Sequence, residues 1–439
     1  MTISWTRNGA LLAGLALAAT QVSGQQQPAS TAQIRNGEIG FVISSMRPAM
    51  LADGVTQQEA CPDGLSLAPA EAYAKLPADR RAALESAYQA SAGARQAAVA
   101  AATAARAARP TAPAGAQSST GSATPPISPG QPGNAPPRVG GGGMLRVDIK
   151  SGQINPDGSA VCLNPAPMGP DPSFRTVSKV VRAEGIDLDG KTSRASDRPD
   201  AESCPHDDMT GSDGVKNVDN QQARVLGCMV GYWPGGILAD TYEGTMREGL
   251  WTLVVKLSKV DSLLNDPEVD VLIASSEDSL KLDSSGSPTR NLTYEAHSNP
   301  KYRSVTKGRI VNGVLTTDPV DITYVVRLAS SPRASDMTQI AGRLKMTIAP
   351  NGSASGILGG YEDVERLAHV NYAVGGNAYI ASAGSQLAKY TCNGIYYSML
   401  RYADGKRDPK TGKCTAISSQ WKIKAGPAFV IVPPPAASS

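Results

Sequence analysis

Short segments with β-strand character dominate the sequence after residue 144. Residues 251–257 (WTLVVKL) and 321–328 (DITYVVRL) are examples in which apolar and β-branched residues recur. Asn312-Gly313, between two such segments, is the strongest short signal for a β-hairpin. Many short strands with few helical stretches predict an all-β domain. We expect a two-sheet sandwich or jelly roll over residues 144–433.

The N-terminal residues 1–24 have the pattern of a secretory signal peptide. Arg7 supplies a positive charge, residues 10–19 (ALLAGLALAA) are apolar, and residues 22–24 (VSG) provide small residues for a cleavage site. This apolar run is shorter than the roughly 18–20 residues that a membrane span needs. We therefore expect an exported protein of the periplasm or the cell exterior, without a membrane span.

Composition divides the remaining chain into segments. In residues 25–109, EIGFVISS at 38–45 predicts a strand, and the Ala-rich stretch 69–109 predicts helix. Residues 110–143 are rich in Pro, Gly and Ser, as in a disordered linker, and residues 434–439 form a short tail. The linker marks a domain boundary, unless a disulfide between Cys61 and Cys162 makes it an excursion from a single domain.

The cysteine content predicts disulfides. An even number of cysteines in an exported chain indicates three bonds. The six cysteines are Cys61, Cys162, Cys204, Cys228, Cys392 and Cys414. Their pairing is open, but proximity in sequence favours Cys204–Cys228 and Cys392–Cys414, which leaves Cys61–Cys162. Each of the first two would close a loop of about 20–25 residues, worth roughly 3 kcal/mol. Their spacings disfavour thiol redox chemistry, haem attachment and structural zinc.

Charge and histidine content narrow the functional classes. The net charge of +3 is too balanced to favour nucleic acid or an anionic membrane surface as a partner. Only three histidines are present, His206, His297 and His369, which limits His-rich metal sites and imidazole-based mechanisms. We therefore expect an unidentified polymer or protein ligand and no nucleic acid.

The segment from residue 185 to residue 228 is the candidate site. Residues 185–221 hold nine acidic and four basic residues, a local net charge of −5. Calcium prefers six to eight oxygen ligands on flexible, Gly-containing loops. The candidate ligands are Asp187, Asp189, Asp207, Asp208, Asp213, Asp219 and Asn220. The EF-hand pattern does not occur. The alternative is a solvated loop in which Asp and Asn side chains cap backbone amides.

Four short elements carry a resemblance to a protein family. They are ACPDGLS at 60–66, GIDLDG at 185–190, SDGVKNVDNQQARVLGC at 212–228 and ILGGY at 357–361. This set resembles exported bacterial β-sandwich proteins that carry CPDG, DLDG and DGxxGVDNQ-like elements and that have no known activity. Asn217 stands where the family pattern has Gly. The resemblance implies that the acidic loop and the cysteines belong to one unit, and it implies no function.

Two groups of residues support an enzymatic alternative. Tyr294, His297 and Arg303 lie close together in YEAHSNPKYR, and a lyase would use a Tyr or His base with an Arg that neutralises a uronate. A polar loop is the alternative, because no lyase motif surrounds them. Glu362 and Asp363 form a carboxylate pair that could act as acid and base on a glycoside, but a solvated surface is the favoured interpretation, because any surface of this size carries such pairs.

The favoured interpretation is an exported, disulfide-bonded binding or accessory protein for a surface polymer or a partner protein, with calcium stabilisation of the acidic segment left open. The alternative is a secreted polysaccharide-degrading hydrolase or lyase. No catalytic motif stands out, and three histidines leave little acid–base machinery.

Overall fold

The structure is a computed structural model, and it describes residues 34–107, 148–179, 182–328, 334–372 and 378–434. The predicted signal peptide at 1–24 and the predicted linker at 110–143 lie outside these ranges, as does all but Pro434 of the predicted tail.

Eleven strands form one continuous sheet. In chain order they are β1 (Glu38–Pro48), β2 (Thr252–Ser258), β3 (Asn265–Ser276), β4 (Thr293–Glu295), β5 (Arg303–Val311), β6 (Val314–Thr317), β7 (Val320–Val326), β8 (Ser335–Ile348), β9 (Ala354–Asp363), β10 (Gly405–Arg407) and β11 (Cys414–Ile431). Eight of them pair in the order β1-β2-β3-β5-β6-β8-β9-β11, and β11 pairs back with β1. All of these pairings are antiparallel, so the eight strands close into a barrel.

The predicted two-sheet sandwich is therefore wrong. Strand β1 pairs with β11 on one side and with β2 on the other, which closes the sheet on itself. The three remaining strands are additions, since β4 joins β11 in parallel, β7 joins β8 and β10 joins β11. Alternating apolar residues predict strands, but they do not predict whether the first and last strands meet. The strand that precedes the predicted linker thus lies in the same sheet as those that follow it.

The strand register shows which side chains fill the barrel. Ile423, Gly356, Met346, Leu315 and Ile310 lie opposite one another on five successive strands. Directly opposed residues in antiparallel strands share a face. The four apolar side chains of this row are at most 3% exposed, so the row marks the inner face of the barrel.

Nine α-helices accompany the barrel within the described ranges. They are α1 (Gln57–Ala60), α2 (Pro69–Ala74), α3 (Ala78–Ala90), α4 (Ala92–Ala107), α5 (Gln221–Leu226), α6 (Thr241–Arg247), α7 (Val364–Leu367), α8 (Ala378–Ala388) and α9 (Cys392–Tyr402). The Ala-rich stretch forms α2–α4, as its helix propensity predicts. Among the described residues, no helix combines the length and the hydropathy needed to cross a membrane.

Three disulfides are present, which confirms the predicted number, but every predicted pairing is wrong. The bonds are Cys61–Cys228, Cys162–Cys392 and Cys204–Cys414, with sequence separations of 167, 230 and 210 residues. Proximity in sequence failed as a criterion because the fold brings distant segments together. Two of the bonds fasten the acidic segment. One joins Cys204 to the start of β11, and the other joins Cys228 to the residue after α1.

Candidate metal centre

A buried glutamine of β11 holds the two ends of the acidic segment together. Gln420 Oε1 accepts a hydrogen bond from Ile186 N at 2.7 Å, and Gln420 Nε2 donates to Ile186 O and to Asp219 O at 2.6 Å each. Side chains alternate between the two faces of a strand. Ile423 and Trp421 lie on the inner face of the barrel, so Gln420, next to Trp421, lies on the outer face. The GIDLDG and VDNQ elements therefore meet on the outer surface of the barrel, although 31 residues separate Leu188 from Asp219.

Further hydrogen bonds orient the carboxylates of this segment. Leu188 N donates to Asp219 Oδ2 at 2.6 Å, and Asn217 Nδ2 donates to Asp187 Oδ2 at 3.0 Å. Lys191 N donates to Asp189 Oδ1 at 2.8 Å. One carboxylate oxygen from each of Asp187, Asp189 and Asp219 then lies within 4.8 Å of the other two. The structure thus brings three of the seven predicted ligands to one place.

The spacing of these three oxygens suits a calcium-sized ion. Because no two of them are more than 4.8 Å apart, a point at most about 2.8 Å from all three exists. Calcium–oxygen distances are about 2.3–2.6 Å, so small side-chain adjustments would complete the contact. Further ligands would have to come from backbone carbonyls or water.

Two further carboxyl groups, those of Asp208 and Asp404, lie close to these three. Asp208 and Asp219 are hydrogen-bonded to each other, and each is nearly inaccessible to solvent. Burial, together with the neighbouring acids, raises the pKa of Asp219 to about 9 and that of Asp208 to about 6. Burial likewise raises the pKa of the Asp404 carboxyl to about 7. Ionisation of this cluster is therefore unfavourable without a positive charge.

The cluster lacks basic partners. Within the described part of the chain, none of its five carboxyl groups has a Lys or Arg nitrogen within ion-pair distance. Lys191, the nearest base in sequence, pairs with Asp200 at 2.9 Å. Arg343 reaches the segment, but its Nε donates to the carbonyl of Leu188 at 3.0 Å. Backbone and amide N–H donors hold these carboxylates, and a shared proton or a bound cation would relieve the repulsion that remains.

The other predicted ligands have different roles. Asp207 is exposed and accepts a hydrogen bond from Ala195 N at 3.0 Å. Asp213 is also exposed and accepts one from Val215 N at 3.0 Å. Asp207 and Asp213 thus cap backbone amides, which is the alternative role that the sequence analysis gave for acidic side chains of this segment.

Asn220, the remaining predicted ligand, caps a helix. Its Oδ1 accepts from Ala223 N at 3.1 Å at the start of α5, and its Nδ2 donates to Ala49 O at 2.6 Å. This use of the side-chain oxygen matches the preference for Asn at N-cap positions. Asn220 thus anchors the segment to the barrel rather than facing the three carboxylates.

Sequence reasoning missed two residues of the site. Asp404 lies close in space to Asp208, although almost two hundred residues separate them. Tyr361 is half-buried beside the cluster, and burial and the nearby acids raise the pKa of its hydroxyl. Tyr361 belongs to the ILGGY element, so the family resemblance could have identified it as a residue near the site. Nothing in the local sequence distinguished Asp404.

The residues of the lyase alternative are held by local contacts. Tyr294 is 1% exposed, and its hydroxyl accepts a hydrogen bond from Lys281 N at 3.2 Å. His297 Nδ1 accepts from Asn299 N at 3.0 Å, and Arg303 Nη1 donates to the carbonyl of Pro433 at 2.8 Å. Each of these three side chains is thus held by a hydrogen bond to the backbone.

Glu362 of the predicted carboxylate pair is not on a solvated surface. It is 3% exposed, and opposed residues place it on the inner face with Ser419 and Trp421. Its Oε1 accepts hydrogen bonds from Gln339 Nε2 and Ser419 Oγ at 2.6 Å each, and from Trp421 Nε1 at 3.1 Å. Burial raises the pKa of this carboxyl.

Comparison of the chain with protein-family models, curated proteins and solved structures found no match. The resemblance to exported bacterial proteins therefore stays a prediction, and the function has to be argued from the site itself.

Proposed function

We propose that this chain is an exported binding or accessory protein for a surface polymer or a partner protein, and that calcium stabilises its acidic segment. Three disulfides are compatible with an exported protein. One observation carries the calcium proposal: three carboxylate oxygens converge within 4.8 Å, with further buried acids close to them and no basic partner in the described residues.

Calcium fits better than other common ions. The three side chains offer only oxygen, which favours hard cations over zinc or copper. Magnesium requires oxygens at about 2.0–2.1 Å, so trans ligands would be about 4.2 Å apart. The separations of up to 4.8 Å leave room for the longer calcium–oxygen distances of about 2.3–2.6 Å.

A bound cation would link the parts of the segment. Asp187 and Asp189 belong to the first element and Asp219 to the second, so an ion between them would bridge the two. Cys204–Cys414 and Gln420 already fasten this region to β11. An ordered segment on the outer face of a barrel would present a fixed surface to a polymer or a protein, which is the binding role that we propose.

Thermal melting of the disulfide-bonded protein tests the calcium proposal. The melting temperature should rise when calcium replaces excess EDTA, because calcium at 100 times its Kd stabilises the folded state by about 2.7 kcal/mol. Asp187→Asn and Asp189→Asn should abolish most of this increase. Asp213→Asn is the matched control, since Asp213 is exposed in the same segment and lies outside the three-carboxylate cluster.

Two results would contradict the proposal. One is a wild-type melting temperature that is the same in EDTA and in calcium. The other is an equal calcium response in Asp187→Asn and in Asp213→Asn, since binding would then occur elsewhere.

A further inference from the structure

A cavity of about 450 Å³ lies where β7, β8, β9, β10 and α7 meet. Its size falls in the range of small-molecule sites. The lining includes Asp321, Met337, Ile340, Glu362, Arg366 and Lys406, none of which belongs to the acidic cluster. Ile340 lies opposite Tyr361, so the cavity adjoins that tyrosine, but none of the five carboxyl groups of the metal centre lines it.

Glu362 is the unusual group in this cavity. Three donors converge on its Oε1, whereas no hydrogen bond from a described residue reaches its Oε2. No Lys or Arg of the described chain forms an ion pair with it. A carboxyl that is 97% buried would be expected to have a charged partner or a full set of hydrogen bonds. Because Glu362 lines the cavity, we infer that Oε2 is the atom that a ligand there would contact.

The charges of the lining leave an acidic excess. Lys406 pairs with Asp363 at 3.5 Å, and Arg366 pairs with Asp336 at 3.6 Å, so both bases have carboxylate partners. Asp321 and Glu362 have no such partner among the described residues. The apolar side chains of the lining, among them Met337 and Leu367, complete an amphipathic cavity. The carboxylates of Asp321 and Glu362 can accept hydrogen bonds from a ligand, and the apolar side chains can contact a hydrocarbon chain.

We propose that this cavity binds a small molecule that carries a primary ammonium group on an apolar chain. Glu362 Oε2 would accept a hydrogen bond from the ammonium and serve as its counter-ion, and the exposed carboxylate of Asp321 would attract it at the rim. The bound positive charge would offset the desolvation that disfavours ionised Glu362. The inference rests on the proposed binding role and does not require calcium.

Titration calorimetry with three probes of one chain length tests this proposal. Hexylamine should bind the full disulfide-bonded protein, hexanol should bind at least about tenfold more weakly, and hexanoate should not bind, because a charged hydrogen bond supplies the difference. Preferential binding of hexanoate would assign the cavity to anions through Arg366 and Lys406. That result, or equal affinity for hexylamine and hexanol, would overturn the proposal.

Single substitutions test whether hexylamine binds in this cavity, at Glu362. Glu362→Gln retains an acceptor oxygen for the three donors but removes the charge, and it should weaken hexylamine binding at least about tenfold. Glu365→Gln is the matched control, because it removes the same charge from α7 outside the lining and should leave the affinity unchanged. If Glu362→Gln does not fold, Asp321→Asn, at an exposed position, should still weaken binding several-fold. Unchanged affinity in Asp321→Asn and in any folded Glu362→Gln would refute the assignment.

A last comparison separates this inference from the calcium proposal. Hexylamine binding should be equal in wild type and in Asp187→Asn, and equal in EDTA and in calcium. Failure of hexylamine to bind a protein that still responds to calcium would reject only the cavity assignment. Binding of hexylamine by a protein whose melting temperature does not respond to calcium would reject only the calcium proposal.

Discussion

Replacement of Asp219 by Asn should stabilise the metal-free protein and reduce the dependence of its stability on pH. Asp219 is 4% exposed, and burial first, with the neighbouring acids, raises its pKa from 3.8 to about 9. The replacement keeps an oxygen that can accept from Leu188 N, and it provides an amide that can donate to Asp208. The variant therefore preserves the hydrogen bonds while removing the ionisable group.

The magnitude follows from the linkage between proton binding and folding. Between pH 3.8 and 9, folded Asp219 holds a proton that the unfolded chain releases. The unfolded state thus binds fewer protons, and the free energy of unfolding falls by about 1.4 kcal/mol per pH unit. This contribution to stability is complete below pH 3.8 and is lost as the pH rises towards 9. From pH 5 to pH 8 the loss is at most about 4 kcal/mol, because the carboxyls of the cluster share their protons.

Urea unfolding in excess EDTA, followed by tryptophan fluorescence at pH 5 and at pH 8, measures this effect. Buried Trp421 makes the fluorescence sensitive to unfolding of the barrel. Wild type should lose more stability between the two pH values than Asp219→Asn does, with equal urea m-values. Asp213→Asn, at an exposed position, should behave like wild type.

Two outcomes would refute this reasoning. If Asp219→Asn is less stable than wild type at pH 8 in EDTA, Asp219 is not under the electrostatic stress that its burial implies. If the change between pH 5 and pH 8 is the same in both proteins, another group is responsible for it.

Two further predictions concern the fold. Replacement of both Cys204 and Cys414 by Ser should lower the free energy of unfolding by about 2–5 kcal/mol, and calcium titration should show weaker binding because the segment is no longer tied to β11. Gly356→Ala should cost at least about 2 kcal/mol in urea unfolding, since the added Cβ would lie 1.9 Å from Lys345 O. The control Gly244→Ala has open space in α6 and should instead stabilise the protein by up to about 1 kcal/mol. Equal effects of the two glycine replacements would contradict the packing argument.

The candidate site was predictable only in part. The density of acids in residues 185–221 identified the correct segment, because a local excess of charge is visible in the sequence. It did not distinguish Asp219 from Asp213, because both are acidic residues of the same charge-dense segment. Contacts with β11 decide that difference, since Gln420 binds the Asp219 carbonyl against the barrel, whereas Asp213 is exposed and accepts a hydrogen bond from the nearby Val215 N.

Glu362 is a second residue whose environment could not be predicted from the sequence. The sequence EDVER suggested a solvated acidic surface, yet Glu362 lies on the inner face of a strand that is paired on both sides. Its burial depends on Gln339, Ser419 and Trp421, which reach it from other strands. A local pattern of charges contains no information about such partners.

The sequence by itself determined the β-rich character, the presence of three disulfides and the position of the acidic segment. These properties follow from local alternation, an even number of cysteines and local charge, which depend on residue type and near neighbours. Only the tertiary structure decided the closure of the barrel, the cysteine partners, the convergence of Asp187, Asp189 and Asp219, and the cavity at Glu362. Each of these depends on contacts between distant segments, and the free energy of the whole fold selects those contacts.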